Sequence, residues 1–161
     1  MKLFISLIVL CTRWLVLWSI ALSQNQYSLE DINPNSENYG NYVGPNFFTG
    51  KVTLHYFGSF TWGTCTARFG ELNDIYEELN DSGHLVELVG VSKSIWVSGL
   101  NNWTNGNKSA ICVDESPYPN WNNWEASQRD LFLLDANGNL VFHDNITSGV
   151  PPNLISQVLS L

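Results

Sequence analysis

Basic residues and cysteines are both scarce in this chain. Its 161 residues include 7 Lys and Arg against 15 Asp and Glu, so the formal net charge is −8. Such a chain lacks the basic footprint that binding to nucleic acid or to an anionic membrane requires. Three cysteines are too few for a disulfide-dense mini-scaffold or for a four-cysteine zinc site. A hydrophobic content of 44% excludes a disordered chain, and the length suits one domain.

The first 23 residues differ from the rest. Lys2 precedes two apolar runs that Arg13 and its neighbours interrupt, and small residues follow up to Ser23. This pattern predicts a signal peptide over 1–23, cut after Ser23, and therefore an extracellular protein with no membrane association after cleavage. The competing interpretation is a transmembrane anchor, which would hold Arg13 near the bilayer centre at a cost of a few kcal/mol.

Asparagine is abundant, with 19 residues, and four of them begin an N-x-S/T sequon. In a secreted protein each sequon is a candidate glycosylation site. The alternative is chance, because an asparagine-rich chain forms such triplets readily. The four candidate sites are Asn80, Asn102, Asn107 and Asn145.

After a polar lead-in over 24–50, the chain alternates between strand and helix patterns. A strand is predicted over 52–57 and a nearly all-apolar one over 85–91. Between them, residues 65–80 carry an apolar stripe at helical spacing, with acidic residues on the opposite side. Two strands joined by one helix predict a right-handed βαβ unit.

A hairpin and a helix follow near the C-terminus. Residues 131–134 and 140–142 read as strands around the Asn137-Gly138 turn, and Pro151 opens a last helix. Residues 94–129 form an insert that is rich in Asn and Trp, with one short strand over 110–113. The predicted fold class is therefore α/β and thioredoxin-like over 51–161, with a central mixed sheet flanked by helices and an insert before the C-terminal hairpin.

The junction between the first strand and the first helix is the candidate site. It ends in the tetrad Trp62-Gly63-Thr64-Cys65. A helix N-terminus stabilises anions, so a thiol or selenol at such a junction ionises easily. In a C-x-x-C pair the first sulfur attacks and the second resolves the mixed disulfide. Here Trp62 occupies the attacking position and Cys65 the resolving position.

These residues resemble the N-terminal thioredoxin-like domain of selenoprotein P. The resemblance rests on the stretch 52–65, on a lead-in over 27–31, and on the hairpin region 129–143. It implies thiol–disulfide exchange or hydroperoxide reduction, with a thiol reductant and a disulfide or hydroperoxide substrate. It also implies that Trp62 stands at the selenocysteine position, so selenium is the only cofactor to consider. The codon UGA is read as selenocysteine or, in some genetic codes, as tryptophan.

Several alternatives stay open at this stage. Trp62 would be a plain indole if the protein were a redox-inactive extracellular binding module on the same scaffold. Cys65 would be a buried small hydrophobe, a reactive monothiol, or one half of a disulfide with Cys112, which requires Cα atoms within about 7 Å. No histidine has metal-ligand spacing, so no metal site is predicted. The four tryptophans of the insert either stack on a ligand or, as favoured here, pack the insert.

Overall fold

The computed structural model describes residues 25–161, and the predicted signal peptide lies outside that range. A five-stranded sheet forms its centre, in the spatial order β5-β4-β3-β6-β7. Strands β3, β4 and β5 run parallel to one another, whereas β6 pairs antiparallel with β3 and β7 pairs antiparallel with β6. The predicted mixed sheet is thus confirmed. Within residues 25–161 the seven strands are β1 (Leu29–Glu30), β2 (Tyr42–Val43), β3 (Val52–Phe57), β4 (Val86–Lys93), β5 (Ala110–Asp114), β6 (Asp130–Leu134) and β7 (Leu140–Asn145).

In the part of the chain that the structure describes, one long helix and three short ones accompany the sheet. Helix α1 (Gly63–Asp81) joins β3 to β4 and confirms the predicted βαβ unit, beginning two residues earlier than its apolar stripe. The short helices are α2 (Asn101–Thr104), α3 (Pro119–Asn123) and α4 (Leu154–Val158), with 3₁₀ turns at Ser94–Gly99 and Ile146–Ser148.

The alternation of side chains along each strand divides the core into two layers. On β3, Leu54 and Tyr56 face the layer that contains α1, α4 and Trp103. Phe57 faces the opposite layer, which the lead-in and α3 cover. Every residue of β3 is buried, as expected of a central strand with both faces covered.

The lead-in is more structured than its polar composition predicts. β1 and β2 form a small antiparallel pair, and Tyr27, Val43 and Phe48 bury their side chains against the second face of the sheet. Asp31 accepts a hydrogen bond at 3.0 Å from the backbone N–H of Ile111, which fastens the lead-in to the β5 edge. The scattered apolar residues of the lead-in therefore belong to the core. Burial of each of their side chains stabilises the fold by about 2 kcal/mol.

The insert also packs against the sheet. Trp103, Trp121 and Trp124 are buried at or below 4% exposure, and Trp96 is partly buried against Trp121. Packing, rather than ligand stacking, accounts for these four indoles. Residues 110–114 supply the outer strand β5, which confirms the predicted short strand.

Within residues 25–161, no helix combines the length and the apolar character that crossing a bilayer requires.

Candidate functional site

A tightly fixed loop leads from β3 to α1. Ser59 is buried, and its Oγ accepts a hydrogen bond from the backbone N–H of Thr61 at 3.2 Å. The side chain of Asn102 donates to the carbonyl of Phe60 at 2.8 Å, so the insert holds this loop from outside. A side chain at Gly58 would meet the rings of two aromatic residues within 3 Å, so only glycine fits there without a shift. The loop thereby delivers the next residues to the start of α1.

Trp62 is the N-cap residue of α1. Its backbone is extended, with φ −100° and ψ 121°, and its side chain makes no capping hydrogen bond. The indole is 54% exposed. Among the tryptophans of residues 25–161 it is the one that the fold leaves exposed. The first position of the predicted tetrad is therefore accessible to a partner molecule at the N-terminal end of a 19-residue helix.

Cys65 is the third residue of α1 and is fully buried. Its carbonyl accepts a hydrogen bond from the hydroxyl of Tyr56 at 3.2 Å. Burial, together with the neighbouring Cys65, raises the pKa of the Tyr56 phenol well above its usual value, so this hydroxyl stays protonated as a donor. Cys65 lies in the first turn of α1, three residues after Trp62.

Arg129 contacts the Cys65 sulfur, which sequence analysis did not anticipate. Its Nη1 lies 3.6 Å from the Cys65 Sγ, and its Nε donates to the Thr147 hydroxyl at 2.8 Å. The Arg129 backbone has φ 73° and donates to the carbonyl of Phe57 at 2.7 Å. The sequence signal for this contact is indirect, because Arg129 is marked only by its place immediately before β6.

Cys112 belongs to the other face of the sheet. Both thiols are free, with Cys65 in the core layer of α1 and Cys112 in the layer of the lead-in, where its Sγ approaches the carbonyl of Leu29 at 3.7 Å. Burial and the nearby Asp31 carboxylate raise the pKa of the Cys112 thiol. The alternative of a Cys65–Cys112 disulfide is therefore not realised in this structure, because the sheet separates the two side chains.

The four sequon asparagines differ in how their side-chain amides are bonded. The Nδ2 of Asn80 donates to two backbone carbonyls, at 2.9 and 3.0 Å. The Nδ2 of Asn145 likewise has two acceptors, the Gln128 carbonyl at 3.0 Å and an Asp130 carboxylate oxygen at 2.6 Å. By contrast, Nδ2 of Asn102 and of Asn107 each makes one such bond. Glycosylation of these sites stays a prediction.

The histidines of the described residues pack against aromatic rings or lie outside any group of potential metal ligands. His55 is fully buried between aromatic rings, with Nδ1 2.6 Å from the Tyr27 hydroxyl, and burial lowers its pKa to about 3. His143 stacks on Phe132 with ring centroids 4.0 Å apart. In the described part of the chain, no three His, Cys, Asp or Glu side chains gather as metal ligands would.

The sheet order, the βαβ unit and the buried residue at the fourth position of the tetrad define a thioredoxin-like fold. Solved structures agree: a secreted Mycobacterium tuberculosis disulfide oxidoreductase homologous to E. coli DsbE matches with a TM-score of 0.66 and 16% identity, over 88% of this chain and 100% of that chain.

Two further structures extend this likeness. MTB DsbF matches with a TM-score of 0.66 and 17% identity, over 86% of this chain and 96% of that chain. BsSco, a member of the Sco family of cytochrome c oxidase assembly proteins, matches with a TM-score of 0.63 and 14% identity, over 86% and 92%. No family model matches the sequence. No curated protein matches it either. At these identities the likeness establishes the fold, and the chemistry must be argued from the site.

Proposed function

We propose that this protein is a secreted thioredoxin-like thiol oxidoreductase of the selenoprotein P N-terminal type, in which position 62 is the attacking position and Cys65 resolves. In the native protein, position 62 carries selenocysteine. The substrate is a disulfide or a hydroperoxide, and a thiol reductant restores the reduced site. Two structures with the same fold support redox chemistry on this scaffold: the Mycobacterium tuberculosis homologue of DsbE is a disulfide oxidoreductase, and MTB DsbF has oxidized and reduced forms.

One observation carries the proposal: the exposure of Trp62. The indole is 54% exposed at the start of α1, whereas Trp103, Trp121 and Trp124 are buried in the core. An indole that buries little contributes little to stability, so packing does not explain a tryptophan at this position. A reactive group does explain an exposed side chain at a helix N-terminus, three residues before a buried thiol.

The proposed reaction uses the selenium at position 62, the sulfur of Cys65 and an external thiol reductant. The selenolate at position 62 attacks one sulfur of a substrate disulfide, forms a selenium–sulfur bond and releases the other sulfur as a thiolate that takes a proton from water. Cys65, ionised by loss of its proton to solvent, then attacks the selenium and releases the second substrate thiolate. The product is a selenenyl sulfide between 62 and 65, and an external thiol pair reduces it and is itself oxidised.

The direct experiment is mass spectrometry of the tryptic peptide 52–68 from protein of the native host. We expect the isotope envelope of selenium and the mass of selenocysteine at position 62. An ordinary tryptophan mass at that position would overturn the selenium assignment. Peptides that contain the other tryptophans, such as Trp103, provide the matched control, because they should keep the indole mass.

A second experiment tests the site without selenium. Trp62→Cys creates an attacking thiol, so we expect insulin disulfide reduction well above that of the unchanged chain. Trp62→Ser removes the same indole without adding sulfur and should stay inactive. Adding Cys65→Ser to Trp62→Cys should abolish turnover, because a mixed disulfide then has no resolving thiol. An inactive Trp62→Cys variant with a reducible 62–65 disulfide would contradict the proposed site.

The second candidate function is a redox-inactive binding module. It is favoured by the same exposed indole, because exposed tryptophans at the rim of a fold often contact partners. The residue at position 62 of the native protein and the turnover of peroxide or disulfide distinguish the two functions. The binding module predicts tryptophan at position 62 in the native protein and no peroxide or disulfide turnover.

A further inference from the structure

We propose that Arg129 is the positioning residue of this site: its guanidinium contacts the Cys65 sulfur and stabilises the negative charge that this sulfur carries when it attacks position 62. The inference rests on the proposed function. The contact that supports it, between the Arg129 guanidinium and the buried Cys65 sulfur, does not involve position 62. In that contact the Arg129 Nη1 lies 3.6 Å from the Cys65 Sγ.

The guanidinium is anchored at its other end. Its Nε donates to the Thr147 hydroxyl at 2.8 Å, and that hydroxyl donates in turn to the Asn145 side chain at 2.5 Å. The Arg129 backbone is fixed as well, since its N–H donates to Phe57 and its carbonyl accepts from Ile146. A side chain held at both ends loses little further freedom when the thiolate forms, so its charge is available to the sulfur without rearrangement.

The charged and titratable groups around Cys65 leave this role to Arg129. Tyr56 on β3 donates its hydroxyl to the Cys65 carbonyl and also lies within hydrogen-bond reach of the Cys65 side chain, but it carries no positive charge. Arg68 on α1 is the other nearby cation, but it bonds the Ile146 carbonyl at 3.0 Å and the Glu71 carboxylate at 2.5 Å. Asp130, next in the chain, belongs to the opposite face of the sheet, where its carboxylate accepts from Asn145.

The role concerns the second half of the reaction. The Cys65 thiolate attacks the chalcogen at position 62, forms a bond to it, and displaces the substrate sulfur, which leaves with the electron pair and takes a proton from water. Only the thiolate is nucleophilic, and a buried thiol ionises poorly without a counter-charge. Arg129 supplies that charge and is itself unchanged, and the external thiol reductant completes the cycle.

The first test compares pH profiles of insulin reduction in the Trp62→Cys background. Arg129→Gln keeps a non-glycine residue at φ 73° and so leaves the backbone strain equal while removing the charge. We expect a loss of roughly tenfold near pH 6.5 that shrinks toward none as the thiol ionises unaided at alkaline pH. Arg129→Lys should recover part of the loss, and Arg68→Gln should cause none.

The second test keeps Trp62 and therefore stands even if Trp62→Cys proves inert, an outcome that would count against the proposed function alone. The small reagent methyl methanethiosulfonate modifies thiolates, and mass spectrometry of peptide 52–68 follows Cys65 by itself. Arg129→Gln should slow this modification at neutral pH and not at alkaline pH. Should Arg129→Gln fail to fold, Thr147→Val loosens the same guanidinium and should give a smaller loss with the same pH dependence.

Three results would overturn the inference. A loss that is equal at every pH would indicate a structural role for Arg129. An equal loss in Arg68→Gln would show that general positive charge, not the sulfur contact, matters. Unchanged modification of Cys65 in the folded Arg129→Gln variant would show that the guanidinium does not stabilise the thiolate.

Discussion

The buried His55 makes a quantitative prediction about the pH dependence of folding. Its ring lies 5.0 Å from that of Trp124, its Nε2 is 2.9 Å from the Thr53 hydroxyl, and burial lowers its pKa to about 3. In the unfolded chain the same group has a pKa of about 6.5. Below that pH the unfolded state binds the proton and the folded state does not. Stability from His55 is therefore present above pH 6.5 and lost as the pH falls toward 3, by about 1.4 kcal/mol per pH unit.

Urea unfolding followed by tryptophan fluorescence measures this loss. Between pH 7.5 and 4.5 the His55 contribution to the free energy of unfolding should fall by about 3 kcal/mol. His55→Gln keeps hydrogen-bonding capacity but does not titrate, so its free energy should fall less over the same range. Carboxylates such as Glu77, whose pKa is lowered mainly by Lys108, act equally in both proteins and cancel in the difference. Parallel pH curves for the two proteins would refute the buried neutral state of His55.

Three further predictions concern packing and glycosylation. Trp62→Ser should change the free energy of unfolding by no more than about 0.5 kcal/mol, whereas Trp103→Ala should cost about 3–5 kcal/mol, both measured by urea unfolding. Gly90→Ala should cost about 1–3 kcal/mol, because its Cβ would lie 2.6 and 2.7 Å from two buried aromatic rings; a stability equal to that of the parent would contradict this packing. Enzymatic deglycosylation of native protein in heavy-oxygen water should label Asn102, whose amide makes one hydrogen bond, more than Asn80, which would lose a bond on glycosylation. The reverse order would contradict that reasoning.

The elements with a regular period were predictable from the sequence. β3 was predicted over the residues that it occupies, because a short run rich in β-branched and aromatic residues that ends at a glycine is typical of a strand. Helix α1 was predicted over 65–80 from its stripe; Gly63, Thr64 and Asp81, which also belong to it, carry no apolar signal. Strand β7 extends three residues beyond its apolar part, to Asn145, because pairing with β6 rather than hydrophobicity defines it.

Contacts between distant segments could not be predicted. The lead-in packs through three separated apolar residues, which show no period that a local pattern would reveal. The contact of Arg129 with Cys65 joins residues 64 positions apart. Arg129 also has a positive φ, which an arginine in the sequence gives no reason to expect. The separation of Cys65 from Cys112 likewise follows from strand alternation in the assembled sheet. The sequence alone was enough to propose the tetrad 62–65 as the site, whereas the contact of Arg129 with that site is visible only in the folded structure.

The exposure of position 62 bears directly on how its chemistry can be tested. Because the Trp62 indole lies largely in solvent, replacing it with a smaller side chain leaves no cavity in the core. The fold is therefore equally compatible with tryptophan, cysteine or selenocysteine at the start of α1, and packing does not hold the indole there. It follows that Trp62→Cys and Trp62→Ser should unfold at nearly the same denaturant concentration. Any difference in turnover between these two variants then measures the chemistry of one atom, sulfur against oxygen, beside Cys65.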